Sequence, residues 1–197
     1  MYSLLLKNIS RFISLTPEEE AFFISLLQEK HLKKKEYLVQ EGALCHHTYF
    51  VNKGALRTYF VDAKGFEHNM QFAIEDWWAG DMHSVIKEKP SRFNIVAVED
   101  TELLGLEKQD QEKLFKQVPK FERFFRHLLQ NAFVSFQDRI LAGMSETAEE
   151  RYLNFRKKYA AMESRFPQNQ IASFLGITPE SLSRIRKQLA KRKANDQ

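Results

Sequence analysis

The chain has one cysteine, Cys45, among 197 residues. A single thiol excludes an intrachain disulfide and any all-cysteine zinc or iron–sulfur site within one chain, and it fits a reducing compartment. No uninterrupted apolar run is long enough to span a bilayer. The start, Met1-Tyr2-Ser3-Leu4-Leu5-Leu6-Lys7, lacks the charged opening and long apolar stretch of a secretory signal. Glycine is scarce, with seven residues, and none of them builds a phosphate-cradling loop. No nucleophile beside an ordered base and no paired catalytic carboxylates stand out. Internal repeats and low-complexity segments are missing as well. These absences lead us to expect a soluble, cytoplasmic, non-enzymatic protein with no metal, no cofactor and no membrane partner.

What is present supports a packed core. The hydrophobic fraction is 43%, and 17 residues are phenylalanine, which is not a disordered composition. The net charge of +4 is placed unevenly. Residues 1–144 hold 19 basic and 20 acidic side chains, whereas residues 145–197 hold 11 and 6. A basic terminal module suggests a polyanion, nucleic acid ahead of a membrane surface; a solvated tail is the alternative.

The organisation follows from local signals. Thr16-Pro17 followed by Glu18, Glu19 and Glu20 predicts an N-capped helix with acids at the positive end of its dipole, and Phe22, Phe23, Leu26 and Leu27 supply its apolar face. From about His31 to Leu106, short apolar runs alternate with turn signals such as Asn52-Lys53-Gly54. Regular spacing of that kind predicts a β-sandwich or barrel. Val61 to Phe66 reads as a hairpin connection. Beyond Lys108, Phe121, Phe125, Leu128, Ala132, Phe136 and Ile140 recur at helical spacing, so Pro119 to Gly143 reads as one long amphipathic helix. Phe124, Leu129 and Phe133 widen its apolar surface. Cover from a second copy of the chain, as in a coiled-coil dimer, is one expectation, and packing wholly on its own β domain is the other. Gly143 reads as the break, and Thr147-Ala148-Glu149-Glu150 as a capping box opening the next helix.

Near the end stands "PQNQIASFLGITPESLSRIRKQL", Pro167 to Leu189. Gln168 to Leu175 predicts a two-turn helix, Gly176 a left-handed stop, and Thr178 the cap of a second helix starting at Pro179. Ile171, Ala172, Leu175, Ile177, Leu182 and Ile185 are the apolar positions, with Ala172 small where the helices cross. This is a helix-turn-helix, whose second helix can enter a DNA major groove. Thr178, Glu180, Ser181, Ser183, Arg184 and Lys187 face away from the apolar positions. Arginine can donate twice to guanine, and glutamate can accept from the cytosine amino group. Arg186, Lys187, Lys191, Arg192 and Lys193 can meet phosphates.

With these residues in view, the chain resembles the Crp/Fnr family of bacterial transcription regulators. The resemblance rests on "GALCHHTYFVNKG" at Gly42 to Gly54, Gly80-Asp81, the long helix, "AEERY" at Ala148 to Tyr152, and "IASFLGITPESLSRIRKQL". It implies an α+β chain: a double-stranded β-helix, or jelly-roll-like β-roll, with flanking helices over 1–118, a dimerisation helix over 119–144, and an all-α DNA-binding domain over 145–197. It also implies DNA and a second copy as partners, and leaves open RNA polymerase and an unidentified small-molecule effector. The family's Glu-Ser/Thr-x-x-Arg reading pattern falls on Glu180, Ser181 and Arg184, while Pro179 departs from a position often used for contact.

Two further departures bear on mechanism. Cyclic-nucleotide-responsive members hold ribose with Gly-Glu-Leu and phosphate with Arg-Ser/Thr. Here those segments read Gly80-Asp81-Met82 and Ser91-Arg92, followed by the bulky Phe93. Arg92, shifted by one residue in a strand, is expected on the opposite face. The expectation is therefore a degenerate pocket unresponsive to cyclic AMP. Ala190 to Gln197 is too short for the β-hairpin wing that follows the recognition helix in the family. Two rival readings remain. One is a ligand-binding sensor with a vestigial DNA-binding domain. The other is a cupin-like metal enzyme using His46, His47, His68 and His83, although adjacent His46 and His47 diverge on a strand.

Overall fold

The computed structural model describes residues 2–195. Two helices open the chain, α1 (Ser3–Ser10) and α2 (Pro17–Ser25). Thr16 caps α2 through a capping box, accepting from the Glu19 N–H while its own N–H donates to the Glu19 carboxylate. Eight strands follow: β1 (Leu27–Leu32), β2 (Tyr37–Val39), β3 (His47–Lys53), β4 (Leu56–Val61), β5 (Glu67–Ala73), β6 (Trp78–Ala79), β7 (Asn94–Ala97) and β8 (Thr101–Glu107). A short helix, α3 (Met82–Lys87), lies between β6 and β7. The strands form two four-stranded antiparallel sheets, ordered β1-β8-β3-β6 and β2-β7-β4-β5. This is the expected β-roll. Gly54 turns β3 into β4 with φ +96°, and a Cβ there would lie 2.5 Å from the Thr101 hydroxyl, so both backbone and space require glycine.

Alternation along β3 and β8 sorts side chains into two cores. Tyr49, Val51 and Leu103 point between the sheets, where they meet Leu38, Leu56 and Ile95. Phe50, Leu104 and Leu106 point the other way, onto Leu5, Phe23, Leu114, Phe121 and Phe124. The helices that supply this second layer are α1, α2, α4 (Lys108–Gln117) and the first turns of α5 (Lys120–Ser145).

α5 has 26 residues and is therefore about 39 Å long. Its N-terminal part is buried, whereas Leu129, Phe133, Val134, Phe136, Ile140, Leu141 and Met144 are exposed large apolar residues. Leu129, Phe133, Phe136 and Ile140 recur every four, three and four residues, the spacing of a coiled-coil seam. The structure divides the apolar stripe and moves the expected break. Phe125 is 7% exposed and packs edge-on against Trp78 and Phe115, so it belongs to the chain's own core. Gly143 lies inside the helix, which runs on to Ser145. No described helix is long and apolar enough to cross a membrane.

The rest is helical: α6 (Ala148–Lys158), α7 (Ala160–Glu163), α8 (Gln168–Leu175) and α9 (Pro179–Asn195). α6 opens with the expected capping box between Thr147 and Glu150. Tyr152, Phe155, Met162, Phe166, Ile171, Ala172, Leu182 and Ile185 close a third core, which takes in Phe72 of β5 and Ala55, just before β4. Phe72 stacks on Phe166 at 4.1 Å between ring centroids and lies 5.0 Å from Phe174.

Candidate nucleic-acid interface and ligand pocket

The α8–α9 hairpin forms from its own residues. Gly176 takes φ +66° and ψ +35°, and the Ile177 N–H reaches back to the Ala172 carbonyl at 3.0 Å, which closes the end of α8. The Thr178 hydroxyl accepts from the Ser181 N–H at 3.2 Å and caps α9. Ile171, Ala172, Leu182 and Ile185 are buried beneath the turn. Thr178, Glu180, Ser183, Arg184, Lys187 and Lys191 are exposed on the outer side of the hairpin, as the sequence suggests.

Two residues are placed otherwise. Ser181 is half-buried, with its hydroxyl 3.3 Å from that of Thr178. Arg192 pairs with Glu149 of α6 at 2.5 Å and so braces α9 against α6. The Lys193 side chain lies outside the described residues. Ser183, Arg186 and Lys187 line a cleft with Gln168, Pro179 and Ala190.

The second predicted site sits at the start of α3. Asp81 and Ser91 are almost fully buried, at 3% and 2% exposure. One carboxylate oxygen of Asp81 accepts from the His83 N–H at 2.9 Å and the Ser84 N–H at 3.2 Å; the other accepts from the Ser91 hydroxyl at 2.7 Å. The Ser91 backbone is clipped to the Gly42 N–H and the Ala43 carbonyl, both at 2.8 Å. Gly80 precedes Asp81 at the end of β6, and Met82 and Arg92 are exposed. Arg92 lies in a bend before β7 rather than in a strand, so the expected strand alternation does not apply to it. The structure thus brings Asp81 and Ser91 together and leaves Arg92 outside. A carboxylate already occupies the N-terminus of α3, where an incoming anion would need the same N–H groups.

The four histidines are dispersed. His47 reaches Gln28 at 3.1 Å and His68 reaches Asp62 at 2.8 Å. Among the described residues, no group of three or more His, Cys, Asp or Glu side chains is arranged to hold a metal.

One feature has no local sequence signal: a polar seam between the β-roll and the C-terminal helices. Arg165, between α7 and α8, donates to both oxygens of Glu75, at 2.6 and 3.0 Å, and also to Glu99. Hydrogen bonding to Glu75, then to Glu99, outweighs burial and holds the Arg165 guanidinium above its ordinary pKa. Burial pushes the Glu75 carboxyl up, but hydrogen bonds from Arg165 and the Gly54 N–H leave it below its ordinary value. Nearby, Arg57 is buried over the Tyr59 ring and pairs with Glu67 at 2.5 Å. Burial, followed by a hydrogen bond to Tyr37, pushes the Tyr59 phenol up to about 12.

Comparison with known proteins places these features. Residues 29–118 match the family described as "Cyclic nucleotide-binding domain". The chain is 24% identical over 185 residues to "Transcriptional activator protein anr" of Pseudomonas aeruginosa, covering 88% of this chain and 75% of that protein. It is 29% identical over 114 residues to "Cyclic AMP receptor protein" of Thermus thermophilus, covering 58% of this chain and 52% of that protein. Among solved structures, FixK2 from Bradyrhizobium japonicum superposes with a TM-score of 0.75 at 21% identity, over 85% of this chain and 86% of that one. At that identity the superposition speaks for the fold.

Replacing Ser91 with alanine tests the pocket's self-closure. Asp81 then keeps two backbone donors but loses its hydroxyl donor in a dry setting. Urea denaturation is expected to show a loss of about 1–3 kcal/mol, with a smaller loss in Ser91→Thr. A Ser91→Ala stability equal to wild type contradicts the arrangement.

Proposed function

We propose, from the premise that this chain is a Crp/Fnr-type transcription regulator, that it binds a two-fold symmetric DNA site as a homodimer and does not respond to cyclic AMP. Crp/Fnr regulators bind DNA, typically as dimers. The observation that carries the reading is the α8–Gly176–α9 hairpin, with Glu180, Arg184 and Lys187 exposed on the side away from buried Leu182 and Ile185. In this reading residues 1–118 form the sensing β-roll, 119–144 the dimerisation helix and 145–197 the reading unit. Its setting is the cytoplasm, and RNA polymerase is left open as a further partner.

Each role has a physical basis. The exposed seam Leu129-Phe133-Phe136-Ile140 on α5 needs apolar cover, and a second α5 supplies it by knobs-into-holes packing. Arg184 can donate in bidentate fashion to a guanine, and Glu180 can accept from a cytosine amino group in the same half-site. Thr178, Ser183, Lys187 and Lys191 lie close enough along the hairpin to hold backbone or base edges, while the Ser181 hydroxyl serves chiefly to support the cap. The cyclic phosphate of a nucleotide would have to displace Asp81 from the α3 N–H groups, with no arginine at position 91 to attract it.

Sedimentation of the wild type is expected to give a dimer at micromolar concentration. Ile140→Glu places a charge in the seam and yields a monomer with an intact β-roll. A monomeric wild type overturns the dimer.

Calorimetric titration with cyclic AMP is expected to give no saturable heat. Saturable binding in the micromolar range contradicts the closed pocket.

The central test is selection of bound sequences from a random DNA pool at modest salt. A palindromic site is expected, with half-sites about one helical turn apart, ~34 Å. Arg184→Ala should cost roughly 1–3 kcal/mol and relax preference at one position, whereas Lys191→Ala should weaken all sequences alike and lower the salt slope by about one. A wild type without sequence preference favours the sensor reading with a vestigial hairpin instead.

A further inference from the structure

The C-terminal helices are not suspended from the end of α5. Three independent contacts fasten them to the β-roll. The first is Arg165, whose side chain is only 20% exposed and which bridges Glu75, just past β5, and Glu99, just past β7. Glu75 is itself fixed, because it accepts the Gly54 N–H at 2.7 Å. A planar guanidinium held by two carboxylates leaves little rotational freedom. The second contact is Ser173 of α8. Its hydroxyl accepts from the Asn69 N–H at 3.0 Å and donates to the Glu67 carbonyl at 2.9 Å, so α8 occupies the open edge of β5. The third is Arg139 of α5, which donates to the Met70 carbonyl at 2.5 Å and lies 4.9 Å over the Phe174 ring. The recognition face of α9 remains exposed in this docked arrangement, so the contacts set its position without covering it.

We infer that Arg165 is a positioning residue: by latching the helix-turn-helix to the β-roll, it presets the separation of the two recognition helices and thereby the spacing between DNA half-sites. The inference rests on the proposed dimeric DNA-binding function. Two linked reading heads gain avidity only when both engage together, and a rigid link confines that gain to one spacing. Without Arg165 the helices keep the Ser173 and Arg139 contacts and the Phe72–Phe166 packing but lose their bidentate charged bridge, so their angle to the β-roll varies more and the distinction between spacings weakens. Removal of the Arg165 cation also leaves Glu75 and Glu99 without their shared partner.

The test uses the full-length chain and the site obtained by selection, with the spacer between half-sites lengthened or shortened by about two base pairs. The wild type is expected to bind the altered spacers about tenfold or more weakly. Arg165→Met should bind all three within about threefold, with base preference inside each half-site unchanged and faster hydrogen exchange at the Asn69 amide. Arg165→Lys should recover part of the discrimination. If Arg165→Met does not fold by circular dichroism, the Glu75→Gln/Glu99→Gln pair, which keeps the arginine and weakens its anchors, carries the same comparison. A folded variant of either kind that keeps the wild-type spacing preference overturns the inference alone. A wild type with no selective DNA binding overturns the proposed function together with it.

Discussion

Both sheets carry packed apolar side chains on both of their faces, and the rest of the molecule follows from that constraint. An antiparallel sheet commonly turns one face to water. Here β3 and β8 send Tyr49, Val51 and Leu103 inward and Phe50, Leu104 and Leu106 outward, so an apolar layer is required on each side. α1, α2, α4 and the start of α5 cover the outer side of the first sheet. On the outer side of the second, Phe72 of β5 and Ala55, just before β4, pack against the C-terminal helices. Burying a phenylalanine side chain stabilises by about 1.5–3 kcal/mol, so the C-terminal helices contribute to the β-roll as well as being carried by it.

The same layering governs the polar groups. A buried carboxylate must be met by donors or it is expelled or protonated. Asp81 finds two backbone N–H groups and a hydroxyl within its own β-roll, and the positive end of α3 favours its charge. Its shorter side chain therefore acts as a cap for α3 instead of reaching into the space between the sheets. At the seam with the C-terminal helices, buried Arg57 meets Glu67 and half-buried Arg165 meets Glu75 and Glu99, so each cation lies against an acid. One pocket is closed by its own polar groups, and one interface is held by them.

What was legible in the sequence was local. The Thr16 N-cap, the Thr147–Glu150 capping box, the Val61–Phe66 hairpin, the left-handed Gly176 and the outer face of α9 each depend on residues within a few positions, and residue type decides them. β1 was hidden because "LQEKHL" is an edge strand with one buried residue, Leu32, and it follows α2 without a breaker. α1 and β6 carry too few residues to establish a period. The stripe on α5 was legible as apolar, but periodicity does not say whether Phe125 faces its own core or a second chain; Trp78 and Phe115 decide that. Arg165 and Glu75 stand 90 positions apart, and Arg192 and Glu149 stand 43 apart, so no window along the chain contains either pair.

α5 connects these parts because its two halves face different demands. Phe121, Phe124 and Phe125 make its beginning part of the β-roll, while Leu129 to Met144 offer an uncovered apolar surface. Arg139 lies within that second half, yet it reaches back to β5 and to Phe174 of α8. In the proposed dimer, one helix would therefore touch the partner, the β-roll and the α8–α9 hairpin within about two turns. A shift of α5 against its partner would be transmitted to α8 through side-chain contact, because the α5–α6 joint at Glu146 is bridged on both sides, by Arg139 before it and Arg165 after it. In that proposed dimer, the separation of the two α9 helices would follow from packed side chains, which occupy discrete arrangements, rather than from a freely jointed connection.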